Sequence, residues 1–275
     1  MQYNIYYIEL LGEESLKGVT IPVIVDNKRS LTNENMADIA KILNTYRTVF
    51  VRSNVSDILN TKVFSVRGET WDCLYASVAA IYTLTETSFI REIESGEKYI
   101  TVDTQNCKSK VSISYQDMTA LSVNHEIDIP KLNTLKSVKE ELYTSDVVEN
   151  STDSNQYTRL IYTEDPKEFS RLRKKKPEKI ERDMDYLVLF FDRDNKMVYF
   201  HVERIYEIKQ KLDSRSQIGF IISYLLSKGI DRKDIKEICH VLNTGQYAIM
   251  NVGIEDDVVF IKMNATTLVE GILNI

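Results

Sequence analysis

Cysteine and histidine, the side chains most used as nucleophiles, bases and metal ligands, are sparse in this sequence, and their spacing limits what they could do. Three cysteines (Cys73, Cys107, Cys239) and three histidines (His125, His201, His240) are scattered through 275 residues. A metal site needs such ligands at short spacing, and His125 and His240 have no ligating neighbour at a useful separation. His201 lies in an apolar run and reads as a satisfied core or cleft-edge histidine rather than a base. No phosphate-binding glycine loop, dinucleotide fingerprint or nucleophile elbow is present.

What remains is a set of single polar residues. Arg47 could grip a carboxylate or phosphate through two parallel hydrogen bonds, or join a surface ion pair. Tyr75 could donate a hydrogen bond or act as a weak acid, or simply pack at a helix start. Asp213 could hold a substrate, or cap the helix that follows it. Cys73 stands where a helix begins and a thiolate is favoured; the alternative is a buried structural cysteine. The basic run from Arg171 to Lys176, continuing to Lys179, is flanked by Glu168, Glu178, Glu181 and Asp183. It reads as a solvated helix end or loop.

Hydrophobic residues make up 43% of the chain and charged residues 28%, the composition of a folded protein with a core of its own. A net charge of −6 gives no reason to expect nucleic acid or an anionic membrane as a partner. Sparse cysteines fit a reducing compartment. The first residues lack the pattern of a signal peptide, and no apolar run approaches the ~20 residues that span a bilayer. The expected location is the cytoplasm.

The elements that must position these residues follow from local pattern. Tyr3 to Leu11 and Ile21 to Val25 read as strands. Thr32 reads as an N-cap, with Leu31 and Met36 as a hydrophobic staple. Met36, Ile39, Ala40 and Leu43 then form one helical face, and Asn44 is the stop. Strands are expected at Thr48 to Val51 and Lys62 to Val66, then a helix through Ala76, Ala79, Ala80 and Leu84. Strands at Tyr99 to Val102 and Val111 to Tyr115 follow. The polar segment from Glu140 to Tyr157 reads as a linker. Beyond it lie strands at Arg159 to Tyr162, Tyr186 to Phe191 and Met197 to Val202. A helix apolar on most faces runs through Phe220 to Leu226 and ends at Lys228-Gly229, so it should be buried.

The halves echo one another. Lys62 to Val66 leads into Ala79-Ala-Ile-Tyr-Thr-Leu84, and Met197 to Val202 leads into Ile221-Ile-Ser-Tyr-Leu-Leu226. Tyr82 and Leu84 then correspond to Tyr224 and Leu226, as in a duplicated domain.

Three segments, in this order, carry a resemblance that covers nearly the whole chain. The first runs from Leu31 to Asn44 and on to Arg47-Thr-Val-Phe-Val51. The second is Lys62 to Val66, Gly68-Glu69 and Cys73 to Leu84. The third is Tyr199-Phe-His-Val-Glu203, then Asp213 and the buried helix to Gly229. Together they resemble the phenazine-biosynthesis isomerase (PhzF-like) family, which shares its fold with diaminopimelate epimerase.

The resemblance implies an α+β fold of two pseudo-symmetric domains, each a curved sheet around a central helix. Residues 1–130, with 266–275, would form the first domain and 131–265 the second. It implies a cofactor-independent isomerase or epimerase acting on a small carboxylated metabolite, bound in the interdomain cleft near the helix N-termini. A homodimer is implied as well. Proton transfer needs titratable side chains at the substrate carbon. Here the sequence departs from the family: Arg47 stands where the family has its acid–base glutamate, and a guanidinium stays protonated at working pH. Leu74-Tyr75 replaces a glycine–histidine pair, and Asp213-Ser-Arg-Ser-Gln217 replaces an aspartate–proline turn. The residues left for catalysis are Asp213, Cys73 and Tyr75, and those left for substrate binding are Arg47, Ser77, Ser216 and Gln217. A non-catalytic binding or scaffolding protein on the same fold is the competing expectation.

Overall fold

The structure is a computed structural model that describes residues 1–10, 16–52, 58–70, 74–91, 93–104, 108–117, 119–129, 136–137, 146–151, 157–174, 184–204 and 214–275. The chain begins with β1 (Gln2–Leu10), β2 (Val19–Val25), α1 (Asn33–Leu43), β3 (Thr48–Arg52), β4 (Ile58–Ser65) and β5 (Gly68–Glu69). Then come α2 (Leu74–Glu86), β6 (Gly96–Asp103), β7 (Lys108–Gln116), β8 (Thr119–Asp128), β9 (Lys136–Ser137) and β10 (Asp146–Ser151). β11 (Tyr157–Thr163), α3 (Pro166–Leu172), β12 (Met184–Asp192), β13 (Met197–Arg204) and α4 (Ser214–Ser227) follow. The last strands are β14 (Glu237–Val241), β15 (Tyr247–Glu255), β16 (Val258–Met263) and β17 (Ala265–Asn274).

Two compact units result. Unit 1 comprises Met1–Ile127, Lys209–Gln217 and Phe260–Ile275; unit 2 comprises Asp128–Ile208 and Ile218–Val259.

In unit 1, β1 lies between β17 and β2, antiparallel to both. β2 and β3 are parallel, β3 and β4 antiparallel, β4 and β6 parallel, and β6, β7 and β8 antiparallel. β8 also pairs with β16, and β16 adjoins β17, so the strand order returns to β1. The strands enclose α2, which packs on β1, β2, β3, β4 and β17. Enclosure explains a helix without a polar face. Leu74, Val78 and Ile81 are fully buried and Leu84 nearly so, and each contributes about 1.5–3 kcal/mol by leaving water. Its hydroxyls are satisfied within the helix, as Thr83 donates to Ala79 O (2.9 Å) and Thr85 to Ile81 O (2.9 Å).

α1 covers the outer face of this sheet. Thr32 Oγ1 accepts from Asn35 N at 3.2 Å while Asn35 Oδ1 accepts from Thr32 N, a reciprocal capping box. Leu31 and Met36 are both buried. Asn44 ends the helix in the left-handed region at φ 48°, donating to Ala40 O.

Unit 2 repeats the plan. β9 and β10 are antiparallel, as are β10 and β11; β11 and β12 are parallel, β12 and β13 antiparallel, β13 and β14 parallel, β14 and β15 antiparallel. α3 occupies the place of α1 and α4 the place of α2 in chain order. The order of parallel and antiparallel neighbours matches that from β17 to β7, so the molecule is an internal duplication. α3 starts at an Asp165 cap with Pro166 behind it, and Phe169 and Leu172 pack on Ile161 and Val188. α4 ends where Ile230 N–H reaches Leu225 O and Gly229, at φ 78°, donates to Leu226 O. That is the two-bond stop that glycine permits at no steric cost.

Two sequence expectations change. The segment from 140 to 157 is not simply a linker, because β10 lies within it and pairs with β9 and β11. Strand pairing satisfies backbone groups whatever the side chains, so a polar composition does not exclude it. The correspondence of Tyr82 with Tyr224 fails in burial: Tyr224 is fully buried, whereas Tyr82 is half-buried, with Glu86 and Thr266 as polar neighbours.

Candidate functional site

The first turn of α2 is the hub of the candidate site: the turn before β3 and strand β8 meet it, and the start of α4 bears on it electrostatically through His125. The turn after α1 delivers Tyr46 and Arg47 to the start of β3, where Thr45 Oγ1 donates to Arg47 O at 3.0 Å. Arg47 is only 5% exposed, which rules out the surface ion pair. Its guanidinium lies 4.0 Å from the centre of the Tyr46 ring, Nη1 donates to Tyr46 O (2.8 Å) and Nη2 to Tyr46 Oη (3.4 Å). Stacking and hydrogen bonding together fix the plane of the cation. Tyr46 in turn meets Tyr75 edge-on, with ring centres 6.2 Å apart at 72°.

Within that turn Leu74, Tyr75 and Ser77 are fully buried. Ser77 Oγ donates to Leu74 O at 2.9 Å and lies 3.1 Å from His125 Nε2. His125 Nδ1 faces Ser109 Oγ at 3.5 Å. One arrangement of protons satisfies all three contacts: Nε2–H donates to Ser77, Ser77 donates to the Leu74 carbonyl, and Ser109 donates to Nδ1. This assignment keeps the ring neutral. Burial, with the nearby Arg215 guanidinium adding to it, pushes the imidazole down to about 3. His125 is therefore a structural link of β8 to α2 and not a base.

The third segment is the beginning of α4. Arg215 is half-buried and Ser216 exposed, whereas Gln217 is 2% exposed. Gln217 Nε2 has no hydrogen-bond partner among the described residues. Of the expected site residues, Arg47, Tyr75, Ser77, Ser216 and Gln217 thus all fall in unit 1. Asp213 and Cys73 lie outside the described residues.

Sequence reasoning passed over His125 as a site residue. The signal that could have found it is the alternation of β8, where His125 and Ile127 are buried while Asn124, Glu126 and Asp128 are half-exposed or exposed. His201 behaves as expected of a core histidine: it is 1% exposed and its Nδ1 lies 2.7 Å from Val241 O. Among the described residues no group of three His, Cys, Asp or Glu side chains could hold a metal ion. No helix among them is long and apolar enough to cross a membrane.

Comparison with solved structures places the fold. A phenazine biosynthesis protein of the PhzF family from Enterococcus faecalis aligns over 100% of both chains at 13% identity and a TM-score of 0.68. A putative phenazine biosynthesis PhzC/PhzF protein from Clostridium difficile aligns over 99% of this chain and 100% of its own, at 17% identity and 0.68. A hydroxyproline epimerase from Agrobacterium vitis, with trans-4-hydroxy-L-proline bound, covers 99% of this chain and 92% of its own at 12% identity and 0.60. No family model matches the sequence, and no curated protein does. The fold is α+β and of the PhzF/diaminopimelate-epimerase type.

Proposed function

We propose that this chain is a cofactor-independent isomerase or epimerase of small carboxylated metabolites, with an altered set of catalytic residues. The observation that carries the reading is that two cations reach the surroundings of the α2 first turn within unit 1: Arg47 through the Tyr46 ring that meets Tyr75, and Arg215 through its electrostatic effect on His125, which bonds Ser77. The full-length likeness to PhzF-family and epimerase structures supports it. A carboxylate would be held by guanidinium and helix N–H groups, which offer charge and donors with fixed direction. Arg47 orients the substrate, and its immobilised plane suits that role better than proton transfer. The proton is moved by Asp213, with Cys73 or Tyr75 as its counterpart on the other face of the substrate carbon. The residues work in a reducing cytoplasm and need no organic cofactor.

The burial of Leu74 and Tyr75 at the head of α2 favours a second reading, in which the protein binds a carboxylate without transforming it. Mass spectrometry after incubation in heavy water with small carboxylic acids separates the two. A deuteron gained at carbon marks the isomerase, and saturable binding with no gain marks the binding protein.

A further inference from the structure

We infer that Gln217 recognises a carboxylate oxygen of the ligand through its Nε2–H group, and that the empty protein is less stable for keeping it. The inference rests on the proposed function for the class of ligand. Gln217 is 2% exposed, yet its Nε2 has no acceptor among the described residues. A buried donor without an acceptor is destabilising, and most buried polar groups in native proteins avoid the condition.

The other central helix shows what a closed version of this position looks like. Ser77 is the fourth residue of α2, as Gln217 is of α4. Ser77 is equally buried but matched on both sides, by Leu74 O and by His125 Nε2. The buried threonines of α2 likewise spend their hydroxyls on carbonyls of their own helix. Gln217 makes no such bond, and its Nε2 is left without an acceptor among the described residues. Leucine or methionine would fill the same volume without a polar atom. The Nε2–H donor thus adds no hydrogen bond to the described fold. It lies in the first turn of a 14-residue helix, whose positive end favours an anionic acceptor. Arg215, two residues earlier, adds a full positive charge.

The test compares wild type with Gln217→Leu and Gln217→Met, using malonate and L-proline as probes. Thermal unfolding without probe should rise by about 2–4 °C in at least one variant, as expected on removing an orphaned donor from a chain of this size. Affinity for at least one probe should fall about ten-fold or more in the same variant. In protein labelled with 15N-glutamine, the side-chain amide signal that vanishes on substitution should shift saturably with that probe. A fall in unfolding temperature in both variants would show that the amide already has a partner and would overturn the inference. So would an amide signal indifferent to both probes, which is the behaviour of a group satisfied by water alone. If the variants bind and exchange protons like wild type, Gln217 is excluded and the isomerase reading stands. If wild type binds through Gln217 without exchanging protons, the isomerase reading fails and Gln217 keeps its role.

Discussion

His125 Nε2 lies 3.1 Å from Ser77 Oγ, joining β8 to the first turn of α2 through two fully buried side chains. Truncating the ring leaves Ser77 without this partner and opens a cavity beside the helix that carries the site. His125→Ala is expected to cost about 2–4 kcal/mol of unfolding free energy, measured in denaturant. His125→Gln keeps a polar group in reach and should cost less.

The same ring makes stability depend on pH. The folded pKa is held near 3, below the ordinary value of 6.5, so between these values the unfolded chain takes up the proton and the folded chain does not. The contribution is complete above pH 6.5 and is lost as pH falls toward 3, at up to about 1.4 kcal/mol per pH unit. Denaturant curves between those limits should be markedly flatter for His125→Gln than for wild type.

Asp26 is a buried carboxylate between β2 and α1. It accepts from Ser30 N (2.9 Å) and Leu31 N (3.1 Å) and faces Arg52 Nε at 3.6 Å. Asp26→Ala leaves two backbone donors without an acceptor and removes the counter-charge of Arg52, which is 23% exposed and still donates to Leu31 O, so a loss of about 2–4 kcal/mol is expected. Equilibrium unfolding of the variant against wild type measures it, and a change below 1 kcal/mol (about the value of an exposed pair) would show that the carboxylate is not holding this loop.

Gly18 opens the entry to β2. A Cβ there would come within 2.2 Å of Leu10 O and 2.5 Å of Glu9 Cγ, and backbone cannot yield as a flexible side chain can. Gly18→Ala should destabilise by several kcal/mol, on the order of the largest single-residue effects, with a visible drop in soluble yield.

Arg47 is stacked and hydrogen-bonded to Tyr46 on one side, so lysine is not a conservative replacement. Arg47→Lys is expected to weaken malonate binding by about ten-fold while lowering stability by about 1 kcal/mol. Calorimetric titration checks the first effect and thermal unfolding the second.

Local chemistry was the legible part of this fold. Thr32, Leu31, Met36 and Asn44 mark α1 because caps and staples are made by neighbours in sequence. The central helices announce themselves through residues such as Ile221 and Ile222, which are apolar and fully buried. What depended on distant partners was harder to see. β10 is polar and owes its place to backbone pairing with β9 and β11. His125 gains its meaning from Ser77, 48 residues away. The burial of Arg47 depends on the Tyr46 ring folding under it, which no spacing rule foretells. Gln217 entered as a candidate only through the resemblance, and its orphaned Nε2 needed three dimensions to appear.

The most direct test of the account is deuterium incorporation at a substrate carbon from heavy water, for wild type and Asp213→Asn, across a panel of small carboxylated metabolites. Proton transfer by this protein predicts exchange in wild type that is lost in the variant, with circular dichroism showing both folded. Exchange that survives in Asp213→Asn would contradict the assignment of Asp213. No exchange with any member of the panel that wild type demonstrably binds would contradict the isomerase reading itself.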